Sequence, residues 1–221
     1  MSRATVKAAK PKPRGRRGID RNAILEAAFE LIDCDGENGF SVRKVGARFG
    51  VDPMTVLHHF GTKDQLLRQI ADRALMSVTI PPPTGSWRQD MRNVADAYRD
   101  LAHRHPRLFH LHFRYNATGP LDHASSEIVY QAMRTLGLTD DLVAALGLAF
   151  YAFVMGFALA ETEGQMAPLN PVEEAEMWEL PERDFPVTRA LIPSFRALDP
   201  GLAFDAAVNA FMDGLALRVR N

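Results

Sequence analysis

Between Asp20 and Leu75 the apolar positions recur every three or four residues, and short polar breaks divide them into four pieces. From Asp20 to Asp35, Leu25, Ala28, Phe29 and Ile32 fall at i, i+3, i+4 and i+7, which predicts an amphipathic helix. Gly36-Glu37-Asn38-Gly39 breaks it. Ser41 to Gly50 predicts a second helix, capped by the Ser41 hydroxyl and closed by Gly50 in the left-handed region. Val51-Asp52 is a turn. Pro53 to Phe60 then predicts a third helix of only about two turns, with Asp52 as its cap and Pro53 where a missing N–H costs nothing. Thr62-Lys63-Asp64-Gln65 is a capping box that opens a fourth helix with Leu67, Ile70, Ala71 and Ala74 on one face. That helix fades by Thr79, and Pro81-Pro82-Pro83-Thr84-Gly85 is the clearest boundary in the chain.

Beyond the boundary no run of alternating β-formers occurs. Ser86-Trp87-Arg88-Gln89 predicts another capping box and a helix to about Arg104. Pro106 restarts the chain for a helix to about Asn116, residues 121–137 form the next, and Thr139 caps a long one. The expected fold is all-α: a three-helix helix-turn-helix head, a linking fourth helix and an all-helical body. Residues 1–18 form a basic arm, 19–79 the head and 86–221 the body. Val143 to Ala160 is an uncharged run that grazes the length of a membrane span. Its flanks are acidic (Asp140, Asp141, Glu161, Glu163) and lack Arg or Lys anchors, so the expectation is burial in a core or between subunits, not in a membrane. Residues 164–200 carry six prolines amid acidic residues. They read as a long connection with short helices near 172–178 and 187–191. The last helix, 202–218, places Phe204, Val208, Phe211, Leu215 and Leu217 on its apolar side.

The third helix carries the functional signal. A free helix of that length does not survive in water, and this one is too polar for core work. Val45, Phe49, Val51, Val56 and Phe60 are the expected buried set, and Gly46 lets the second and third helices cross closely. Arg43, Lys44, Met54, Thr55, His58 and His59 remain exposed, with Lys63 just beyond. Cationic and hydrogen-bonding groups on such a face suit the phosphates and base edges of a DNA major groove. An ordinary helical hairpin with a solvated face is the other reading.

Charge sharpens this picture. The net charge of −1 over 221 residues hides a division: residues 1–63 hold twelve Lys/Arg against seven Asp/Glu, and the remainder fourteen against twenty. A basic head on an acidic body is expected where one end meets a polyanion. The Pro/Gly-interrupted tail with Arg3, Lys7, Lys10, Lys12, Arg14, Arg16 and Arg17 is expected to be disordered when free. It either follows the DNA or merely solubilises the chain. The lone Cys34 forms no internal disulfide, which points to a reducing, cytoplasmic compartment and to a buried structural thiol. The N-terminus has no apolar segment of a secretory signal.

The stretch GFSVRKVGARFGVDPMTVLHHFGTKDQLL, with the order of the elements, resembles the DNA-binding domain of the tetracycline-repressor (TetR) family. GSWRQDMRN and FVMGFALAETEG are similar to the C-terminal domain of the tetracycline repressors themselves. The resemblance implies a homodimeric, ligand-responsive repressor released from a palindromic operator when a small molecule tilts the fourth helix. It implies that Arg43 and Thr55 reach bases, that Met54 and His59 lie on the reading helix, and that Thr62 and Lys63 meet backbone phosphates. With Ser41, Lys44, Pro53 and His58 these make the expected DNA-binding set. Leu57 departs from the family's phosphate-binding tyrosine. In the body Tyr98 matches an aromatic pocket residue and His112 the histidine that holds a magnesium-bound drug. Val94 and Thr79 replace polar contacts and Ala160 an acidic one, although Glu161 is adjacent. The expected ligand is therefore a different, largely apolar molecule held near Tyr98, His112 and Phe153.

His103, His105, His110 and His112 suggest a metal cluster, but i, i+2 pairs on either side of Pro106 do not share a helix face. No metal and no cofactor is expected. Phe109, Phe113, Tyr115, Phe150, Tyr151, Phe153 and Phe157 fit either a ligand cavity or plain core. No catalytic or nucleotide-binding motif occurs. The competing reading is an all-helical enzyme or sequestering protein that uses a pocket in the body.

Overall fold

The computed structural model describes residues 19–115 and 120–218, so the basic arm at 1–18 lies outside the described residues. Among them every regular element is helical. The head comprises α1 (Arg21–Gly39), α2 (Val42–Phe49) and α3 (Pro53–Phe60), and α4 (Lys63–Leu75) leads out of it. The capping chemistry acts as its residue types require. Ser41 accepts from the Lys44 N–H, Asp52 from the Met54 N–H, and Thr62 and Gln65 satisfy each other's backbone donors. Gly50 closes α2 at φ 64°. Gly36 does not end α1 but kinks it (φ 70°), and the helix resumes to Gly39. The buried stripe of α1 is rotated from the expected one: Ile24, Ala28, Leu31 and Ile32 face inward, while Leu25 and Phe29 are half-buried. Phe29 is turned toward the body, edge-on to His105.

The body comprises α5 (Trp87–Arg104), α6 (Pro106–Tyr115), α7 (Pro120–Arg134), α8 (Asp140–Thr162) and α12 (Pro200–Arg218). Three short helices, α9 (Pro171–Glu179), α10 (Pro186–Ala190) and α11 (Ile192–Arg196), occupy the acidic connection. Two expected caps are not made, since neither Ser86 nor Thr139 gives a side-chain cap bond. At α5, Thr84 donates its N–H and its hydroxyl to buried Asp90 instead (2.6 and 2.7 Å), and the Ser86 N–H donates to Thr84 Oγ1. Those bonds favour the carboxylate and hold the Asp90 pKa below its ordinary value.

Two cores result. Ile24, Ile32, Val45, Val56, Phe60, Leu66, Ile70 and Ala74 fill the head, and Met91, Leu101, Phe109, Met133, Phe150 and Phe204 help fill the body. Helix α6 serves both, with Leu108 and Leu111 in the head core and Phe109 in the body core. Polar contacts repeat that link, because Arg114 of α6 pairs with Glu37 of α1 (2.8 Å) and His105, between α5 and α6, with Asp33 (3.0 Å). Arg107 also donates to the carbonyls of Asp33 and Cys34. Cys34 is exposed, contrary to the expected buried thiol. It stands two positions beyond Ile32, on the opposite side of the helix from the packed stripe.

Helix α8 is long and apolar enough to cross a membrane by length and composition. Val143, Phe150, Val154 and Ala158 pack into the body, while Leu142, Ala145, Leu148, Ala149 and Ala152 are open. Helix α12 buries Phe204, Val208, Met212 and Leu215, with Phe211 half-buried, but leaves Leu217 exposed, two positions past Leu215 and so on the far side of the helix.

Candidate DNA-reading head and effector cavity

Helices α2 and α3 can cross because Gly46 has no side chain: a Cβ there would stand 2.7 Å from the Val51 carbonyl oxygen. Val51 in turn donates its N–H to the Gly46 carbonyl (3.0 Å). Val45, Val56 and Phe60 are buried as expected, whereas Phe49 and Val51 are half-buried at the rim. Met54, Thr55 and His58 face solvent and His59 is half-buried. Arg43 is exposed and has no acidic partner among the described residues. Lys44 differs: its ammonium donates to the Gly39 carbonyl (2.5 Å) and lies 3.7 Å from Asp35, so it braces α1 against α2. Ser41 and Thr62 spend their hydroxyls on helix caps, and Pro53 sits at the first turn of α3. Lys63 is exposed, with its ammonium 5.7 Å from the centroid of Phe40. Arg21 was not singled out in the sequence. Its guanidinium lies over Phe60 (4.7 Å) and donates to the His59 carbonyl, adding a cation at the end of α3. Only the three-dimensional docking of α1 on α3 brings it there.

In the body the expected ligand residues separate. Tyr98 is buried and lines a cavity of about 170 Å³ between α5, α7 and α8, together with Val94, Ser125, Val129, Tyr130, Phe150, Tyr151 and Val154. His112 is fully buried one layer behind, its Nε2 hydrogen-bonded to the Tyr151 hydroxyl (2.8 Å). Burial in apolar surroundings lowers its pKa to about 4, so the ring is neutral at pH 7. Its Nδ1 is buried without a partner among the described residues. Phe153 does not line this cavity. Its ring stacks on Phe211 (6.0 Å, 11°) and meets Phe157 edge-on, because α8 turns it toward α12 and not toward α5. Phe113 is exposed. Ser125, which hydrogen-bonds to Tyr98 (2.8 Å), was missed in the sequence, where nothing fixes which face of α7 turns inward.

Among the described residues no three His, Cys, Asp or Glu side chains stand together as a cation site. Glu161, beside Ala160, is taken by Arg99 in a two-pronged pair (2.8 and 2.6 Å) and by His103 (3.1 Å), and Arg99 keeps its pKa below the usual carboxylate range. The Tyr151 hydroxyl takes His112 Nε2, and Nδ1 has no partner among the described residues. Of the other histidines around Pro106, His105 goes to Asp33 and His110 to Glu163.

This architecture defines a helix-turn-helix regulator with an effector body. Residues 24–76 match the bacterial regulatory proteins of the tetR family, and residues 81–219 match the tetracyclin repressor-like C-terminal domain. The chain belongs to that family. A transcriptional regulator of the helix-turn-helix type from Saccharopolyspora erythraea is 32% identical over 65% of this chain, which spans about three fifths (61%) of that relative's length. The class A tetracycline repressor from Escherichia coli is 26% identical, over 92% of this chain and 94% of its own. A solved structure from Streptomyces coelicolor superposes with a TM-score of 0.73 at 29% identity, covering 91% of this chain and 99% of the other.

Proposed function

We propose that the protein is a DNA-binding transcriptional repressor that works in the cytoplasm as a homodimer and releases its operator when a small molecule enters the body. The observation that carries this reading is the solvent-facing α3 beside exposed Arg43, which has no acidic partner among the described residues, on a head whose core runs into the cavity-bearing body through α4 and α6. Arg43, Met54, Thr55 and His58 supply base contacts. Thr62 and Lys63, at the positive end of α4, supply phosphate contacts. Lys44 contributes through bracing. The second subunit covers the open faces of α8 and α12, where Leu148, Leu202 and Leu217 are exposed and a Cβ at Gly156 or Gly214 meets nothing. Effector and DNA then oppose each other through two states of the α4–α6 junction, by reciprocal factors. Selection from a random duplex pool, followed by gel retardation, tests it. A palindromic site is expected, and no enrichment over input would return the body pocket to an enzymatic or sequestering role.

A further inference from the structure

Tyr98 and Ser125 line two cavities at once. The inner one, about 170 Å³, lies against Tyr130, Phe150 and Tyr151. The second, about 330 Å³, lies against Leu75, Val78, Ile80 and Ile128, where the chain leaves α4. Both shared residues are buried, and the hydrogen bond between their hydroxyls is neutral. Each hydroxyl donates as well as accepts, so a ligand oxygen placed between them can replace the bond they make to each other. Neither cavity is lined by Asp, Glu, Lys or Arg among the described residues, and the one histidine at the inner cavity, His123, is exposed, which disfavours a charged occupant in the buried part.

We propose that the two cavities are lobes of one effector site, joined when a ligand parts the Tyr98–Ser125 pair. Resting on the effector reading above, this specifies the ligand as uncharged, with two apolar ring-bearing ends and a hydrogen-bonding oxygen between them. One end fills the inner lobe, where Tyr130 packs directly on Gly147 and leaves no room for a Cβ there. The other end presses on Leu75 and Val78. A molecule that fills only the inner lobe binds without touching α4 and leaves DNA affinity unchanged, because a ligand shifts an equilibrium only by its differential affinity for the two states.

Benzophenone (a carbonyl between two rings) and acetophenone (the same carbonyl on one ring) are the probes. On irradiation of benzophenone with the full chain, the carbonyl oxygen takes a hydrogen from an adjacent C–H and the carbonyl carbon bonds to that carbon. Peptide mass spectrometry is therefore expected to find the label on Tyr98 or Ser125, the residues that line both cavities. Ser125→Leu, which plugs the passage, is expected to weaken benzophenone roughly tenfold and acetophenone by less than about twofold. If that variant does not fold, the labelling map of the parent decides alone. A label away from Tyr98 and Ser125, no saturable benzophenone binding, or equal loss of both probes overturns the two-lobe site. Neither readout involves DNA, so failure to bind an operator with the label at the Tyr98–Ser125 junction would sink the regulator reading and leave the site standing.

Discussion

Ala74 and Leu75 are consecutive residues of α4, yet Ala74 packs in the head core and Leu75 in the body core. Both are nearly inaccessible. The last turn of one helix is therefore a shared wall, and a displacement in the body reaches the head without crossing a flexible linker. Leu75→Ala should cost about 2–5 kcal/mol through lost burial and the cavity left behind, and should loosen that wall. Chemical denaturation checks it: the parent unfolds in one transition, and the variant in an earlier transition of the body followed by that of the head. A variant indistinguishable from the parent removes Leu75 from the junction.

Three cations of the head should behave differently on DNA. Arg43→Ala should lose about 1–3 kcal/mol of base discrimination. Lys63→Ala should weaken all sequences alike and reduce the salt slope by about one. Lys44 is already bonded to Gly39 and paired with Asp35, so Lys44→Ala should lower melting temperature more than specificity. Binding isotherms on a randomised site library, at two salt concentrations, separate the three roles.

Gly46→Ala should destabilise the head although alanine is the better helix former by about 1 kcal/mol. The added methyl would stand 2.7 Å from the Val51 carbonyl, and the backbone shift should cost about 1–3 kcal/mol. A melting temperature at or above the parent's would mean that α3 can move away freely.

Burial holds the folded-state pKa of His112 near 4, below the ordinary value of 6.5. Above about pH 6.5 the ring is neutral whether folded or unfolded, and contributes no pH dependence. As pH falls below 6.5 the unfolded chain takes up the proton and the folded protein does not, so stability declines until about pH 4 and then levels off, a loss of roughly 3 kcal/mol. His112→Phe should flatten that slope. Urea titrations at pH 7, 5.5 and 4.5 measure it, and an equal slope in both proteins assigns the effect to other groups.

Gly156 has open space beside it within one chain, so Gly156→Glu should leave the subunit's own fold nearly intact. The carboxylate would be buried unpaired in the proposed subunit interface, weakening dimerisation by several kcal/mol and operator binding with it. Sedimentation at micromolar concentration gives the answer, and a variant that remains dimeric moves the interface away from α8.

The caps and turns of the head were legible because their signals are local. Caps at Ser41, Asp52 and Thr62, the left-handed Gly50 and Pro53 at the first turn of α3 each depend on a few neighbouring backbone groups. Where a cap had a stronger competitor the expectation failed, as at Ser86, whose place is taken by Thr84 and Asp90. The division of charge and the all-helical class were likewise set by residue order alone.

Tertiary structure decided what depends on which face of each helix turns inward. Periodicity marked α8 as apolar on every side, and so could not say that Tyr151 faces Tyr98 and His112 while Phe153 faces Phe211. The Tyr98–Ser125 contact joins α5 to α7 across 27 residues, the Lys44 ammonium is claimed by the end of α1, and Leu75 changes core within one step of chain. Local sequence fixes a helix through bonds four residues apart. Its neighbours are chosen by apolar surfaces brought together from distant parts of the chain, and burial is non-directional, so only the assembled packing selects the partners.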